Sequence, residues 1–112
     1  MSLDSVRAFF LQHAPDIEII VTEASSATVS EAAAAHQALP EQIAKTLGVW
    51  LKNEIVLIVM SGTARLDNRK FKDRFSEKPR MVDAAEITVR TSHPVGGVCP
   101  FGLAEPLKIY AD

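Results

Sequence analysis

The sequence predicts a mixed-sheet α/β domain of the α+β kind rather than a doubly wound one. Three observations carry this. Helix-capping patterns and β-rich runs interleave along the 112 residues. Several links between them are too short for the crossovers that parallel neighbours need. One run, Glu54–Met60, is apolar on both faces, as a central strand covered twice would be. The length suits one domain, residues 1–112, and a 47% apolar fraction supplies a core.

The elements follow in order. Asp4 can cap a first helix over about 5–13, stopped by Ala14-Pro15. Ile17-Glu-Ile-Ile-Val21 is β-rich and reads as a strand. Thr28 and Glu31 have capping-box spacing ahead of the alanines at 32–35, so a second helix ends before Leu39-Pro40. Strands are expected over 43–52 and 54–60, with a tight turn at Lys52-Asn53. Asp67 caps a helix through about Phe75, with Phe71 and Phe75 on one face. A short strand is expected near 80–82. Asp83 and Glu86 open another helix to about Arg90, and Leu107–Tyr110 reads as a final strand.

Between the last two elements lies Thr91-Ser-His-Pro-Val-Gly-Gly-Val-Cys-Pro-Phe-Gly-Leu103. It holds three of the five glycines, two of the six prolines and the only cysteine. Proline removes an amide donor and glycine makes positive φ cheap, so the run is a shaped loop. Such a loop lets a ligand reach backbone amides, and function concentrates on loops of this kind.

Composition excludes several classes. One cysteine rules out an internal disulfide and a multi-cysteine metal site, and fits a reducing, cytosolic setting. The N-terminus does not read as a signal peptide, and no apolar run reaches membrane-spanning length. His13, His36 and His93 lack ligand spacing, so no metal is expected. Neither phosphate-loop nor dinucleotide motif is present, so no cofactor is expected. The net charge of −2 argues against a general nucleic-acid binder, and no DNA partner is expected. Residues 65–80, however, hold seven basic and three acidic side chains, a local +4. A solvated, ion-paired helix face is the plain account; steering of a polyanion is the functional one.

Two side chains stand out chemically. Period-two alternation puts Lys45 on one face with Ile43, Leu47, Val49 and Leu51, the face expected to point inward. Its ammonium either sits desolvated at a cavity or snorkels from the strand's start. Cys99 and His93 share the glycine loop and offer a thiol–imidazole pair, although no third orienting group is evident.

Ile43-Ala-Lys-Thr-Leu47, Arg65-Leu66-Asp67 and Val95-Gly-Gly-Val-Cys-Pro-Phe-Gly102, in that order, resemble the YbaK/prolyl-tRNA synthetase-associated editing domain over roughly 25–110. The resemblance implies a barrel-like mixed sheet with flanking helices. It implies a free-standing hydrolase that deacylates mischarged aminoacyl-tRNA, chiefly tRNA(Pro) carrying cysteine, alanine or a similar small amino acid. It also implies aminoacyl-tRNA and prolyl-tRNA synthetase as partners. By that likeness Lys45 is the catalytic side chain, and Gly96, Gly97 and Val98 cradle the aminoacyl end. Ser92 and His93 would shape selectivity or orient water, and Arg69, Lys70 and Arg74 become candidates for tRNA contact. Ser92 stands where the family usually has glycine, and Cys99 where serine or threonine is common. The family pattern runs on past Tyr110, so a shortened member or a fragment is implied. A non-catalytic module that only captures aminoacyl-tRNA or a small molecule, and a thiol enzyme using Cys99, are the competing accounts.

Overall fold

A computed structural model describes residues 2–112. The elements are α1 (Ser2–His13), α2 (Val29–His36), a 3-10 turn (Pro40–Gln42), β1 (Ala44–Leu51), β2 (Glu54–Ser61), α3 (Asn68–Phe75), β3 (Arg80–Met81), α4 (Ala84–Thr91) and β4 (Lys108–Ala111). The strands form one sheet in the order β3-β1-β2-β4. β1 pairs antiparallel with β2 and with β3, whereas β2 and β4 run parallel. The expected mixed sheet with flanking helices is present. Among the described residues it is open, with β3 and β4 at its edges, and not closed into a barrel.

Local chemistry explains the elements. Thr28, Asp67 and Asp83 each accept a hydrogen bond from the amide three residues on, as the spacing predicted. Lys52 and Asn53 both have positive φ, 51° and 65°, the geometry of a two-residue hairpin between twisted strands. β2 is central and covered on both faces. Val56, Ile58 and Met60 join Val49, Leu51 and Phe71 on the α3 side. Ile55 and Leu57 pack with Ile87 of α4 on the other. Leu57 is completely buried.

One expected strand is absent. Residues 17–21 lie in an irregular segment, with Ile17, Ile20 and Val21 more than half exposed. Their β propensity is real, but propensity makes a strand only where a partner edge is available. The 15–26 stretch instead links α1 to α2. α1 is held by rings: Phe9 and Phe10 lie 5.4 and 4.7 Å from Phe101, centroid to centroid. This contact fastens α1 to the glycine loop rather than to the sheet.

Candidate active site

β1 has a free edge because β3 is so short. β3 pairs only with Val49 and Trp50, and one further bond runs from the Val82 amide to the Gly48 carbonyl. Alternation puts the Thr46 amide and carbonyl on that same side, while the Ile43 carbonyl faces β2 and accepts from the Gly62 amide. Beside this edge lies a cavity of about 630 Å3. α2 and the segment before it form one wall, with Thr28 and His36. α4 contributes Ile87, and the glycine loop contributes Val95, Gly96 and Val98. The size is that of a small-molecule site.

The glycine loop reaches this cavity by a close approach. Gly96 has φ 86°, and a Cβ there would sit 3.0 Å from the Cβ of Ala27. Both facts favour glycine, and they bring the Gly96 backbone to the cavity wall. At its far end the loop is tied to α4. Arg90 pairs with Glu105 at 2.8 Å and with Glu86 at 3.1 Å.

Lys45 lines the cavity, but its side chain leaves along the α3 face of the sheet. There it is the cross-strand neighbour of Met60. It is half-buried, and its ammonium donates to the Gly62 carbonyl at 3.2 Å and to the Ala64 carbonyl. Neither sequence alternative described this. The group neither sits bare in the cavity nor runs to water; it is held at the end of β2.

The other expected site residues divide. Gly96 and Val98 line the cavity, whereas Gly97 is exposed and does not. Ser92 and His93 are not cavity residues either. Ser92 ends α4 in the left-handed region, and its hydroxyl donates to the Gly102 carbonyl at 3.3 Å. His93 is completely buried, with Nε2 2.6 Å from the Phe101 carbonyl. Both hold the loop's shape from behind. α3 carries Arg69, Lys70 and Arg74 across the sheet from α4, and Lys70 and Arg74 border a separate cavity there. Thr28, His36 and Thr46 were not foreseen. A capping box signals a helix start, not a cavity wall, and the free edge of β1 arises only because β3 is short.

Cys99 is not set up as a nucleophile. Its Sγ lies 3.6 Å from His93 Nε2, but a carbonyl can only accept. The Nε2 bond to Phe101 therefore places a proton on that nitrogen and denies it the role of base toward the thiol. Burial pushes the thiol pKa up, against a smaller opposite effect of its bond to the Phe101 carbonyl. The thiolate is scarcer in the fold, so the pH profile of alkylation shifts upward. At mildly alkaline pH, iodoacetamide should label native Cys99 more slowly than the urea-unfolded chain. Equal rates would contradict the buried thiol.

The model of the aminoacyl-tRNA editing domain family matches residues 23–112. The chain belongs to that family. An uncharacterized protein of Bacillus subtilis (strain 168), YwhH, is 41% identical over 113 residues, covering 100% of this editing domain and 72% of YwhH. A crystal structure provisionally described as a trans-editing enzyme for prolyl tRNA synthetase superposes with a TM-score of 0.88 at 29% identity, over 99% of this chain and 71% of that one. The crystal structure of hypothetical protein APE2540 gives a TM-score of 0.82 at 28% identity, over 96% and 73%. The matched span begins before α2 and so takes in all of the cavity's walls.

Proposed function

We propose that this editing domain is a trans-acting deacylase that hydrolyses a small amino acid, cysteine, alanine or one of similar size, from mischarged tRNA(Pro). The observation that carries the reading is the meeting of Lys45, the free edge of β1, Gly96 and Val98 at one cavity. An aminoacyl ester is already activated, so its hydrolysis needs positioning and charge stabilisation more than a covalent nucleophile. Water adds to the ester carbonyl, and the bond to the terminal ribose oxygen breaks. That oxygen takes a proton, leaving free amino acid and uncharged tRNA. Lys45, at the cavity's edge with its ammonium held on the Gly62 and Ala64 carbonyls, supplies positive charge toward the developing oxyanion. The amides of Gly96, Val98 and Thr46 are the fixed donors that hold the aminoacyl group, while the Gly97 amide is taken by the Pro94 carbonyl. The size of the cavity, narrowed by Ile87 and Val98, sets which amino acids enter, at about 1–3 kcal/mol per methylene.

The reading places the protein in the cytosol with aminoacyl-tRNA, acting alongside prolyl-tRNA synthetase. No helix among the described residues is long and apolar enough to cross a membrane. The test is a deacylation panel: tRNA(Pro) charged with alanine, cysteine or proline, with and without the synthetase. Faster loss of alanine or cysteine than of proline is expected. Saturable binding without turnover on every substrate would mark a capture module instead.

A further inference from the structure

A second cavity, of about 360 Å3, lies on the opposite face of the sheet, between α3 and the ends of β2 and β4. Its floor is apolar and aromatic, with Met60, Phe75 and Tyr110, and its lining carries three cations, Arg65, Lys70 and Arg74, against two carboxylates, Asp67 and Asp112. The Phe75 and Tyr110 rings meet edge-on at 5.0 Å, and the Arg74 guanidinium lies 4.8 Å from the Phe75 centroid. All three cations are exposed at the rim. Aromatic faces below a cationic edge suit a nucleobase with its flanking phosphates.

Lys45 connects this cavity to the candidate active site. Lys45 lines the first cavity, and its cross-strand neighbour Met60 lines the second. Its ammonium holds the Ala64 carbonyl, one residue before Arg65. A chain with its aminoacyl end in the first cavity would pass this lysine on the way to the second.

We infer that the α3 cavity binds an unstacked nucleotide of the tRNA acceptor end, with its base against Phe75 and Tyr110 and its phosphates on Lys70, Arg74 and Arg65. The inference rests on the tRNA reading above. Stacking on aromatic side chains is sequence-tolerant, and phosphate pairing gives a salt-dependent affinity.

The experiment is fluorescence anisotropy with a short, uncharged, labelled single-stranded RNA ending in CCA, titrated over a range of salt. Lys70→Ala and Arg74→Ala should each weaken binding severalfold and lower the log–log salt slope by about 0.7. Tyr110→Leu should cost about tenfold with the slope unchanged. Lys72→Ala removes the same charge from the same helix but lies outside the cavity, and should change affinity by less than about twofold. Thermal melts of each variant separate misfolding from lost contacts. If Lys72→Ala costs as much as Arg74→Ala, binding is diffuse surface electrostatics and the site is refuted. If the domain deacylates charged tRNA but the RNA ignores every cavity variant, this inference fails and the deacylase stands. If the RNA binds here and no charged tRNA is turned over, the deacylase fails and the site stands.

Discussion

Lys45→Ala should lower kcat/KM for deacylation of the preferred charged tRNA by about 10^2–10^3, the usual cost of losing one preorganised group at a developing oxyanion. It should also destabilise the fold by about 1–2 kcal/mol, because its ammonium bonds to Gly62 and Ala64 are lost. The two effects are separable. Urea denaturation reads the stability loss, and single-turnover deacylation well below the unfolding range reads the chemical loss. Lys45→Arg keeps a cation but spreads it over a larger planar group, so it should recover stability better than rate. A Lys45→Ala protein that stays folded and hydrolyses its substrate as fast as wild type would remove Lys45 from the mechanism. The lysine would then be a clamp on the end of β2 and nothing more.

That dual position explains how much of the site was legible beforehand. Alternation alone assigned Lys45 to the face it shares with Val49 and Leu51, and that face is the one packed under α3. What alternation cannot show is where a long side chain finds acceptors. The carbonyls of Gly62 and Ala64 are brought to it by the β1–β2 pairing and the turn that follows. The glycine loop was legible as a ligand-facing loop, but not residue by residue. Gly96 meets the cavity because Ala27 packs against it, and a contact that distant in sequence leaves no local pattern. The family likeness implies that Ser92 and His93 shape selectivity or orient water. Their partners, the carbonyls of Gly102 and Phe101, turn them inward.

The fold was more legible than the site for a related reason. The caps at Thr28, Asp67 and Asp83, the Lys52-Asn53 hairpin and the doubly apolar β2 are local devices, and each works through neighbours a few residues away. Ile17–Val21 looked equally convincing and failed, because a strand also needs an edge supplied from elsewhere. The barrel-like closure expected from the family resemblance is likewise not seen among the described residues, whose four strands form an open sheet. Whether a sheet closes depends on its edge strands, and β3 is only two residues long.

Gly102→Ala should be among the most destabilising single changes outside the sheet, at about 3 kcal/mol by urea denaturation, through strain and a clash together. Gly102 has φ 63°, and a Cβ there would lie 2.5 Å from the Ser5 carbonyl carbon and oxygen. Backbone cannot swing aside as a side-chain tip can. α1 would have to lift, and with it Phe9 and Phe10 from Phe101. The Phe101 carbonyl anchors His93, and the Gly102 carbonyl accepts from Ser92, so the displacement passes into the loop that carries Gly96 and Val98. Activity should therefore fall along with stability. Gly97→Ala is the matched control. Its Cβ would meet nothing closer than 3.5 Å, and its backbone is not in the positive-φ region, so its cost should stay within about 0.5 kcal/mol. If the two variants unfold at the same urea concentration, the loop is not fastened through α1. The rigidity that the deacylase reading asks of Gly96 and Val98 would then have to come from the bonds of Ser92 and His93 and from Arg90 with its two carboxylates.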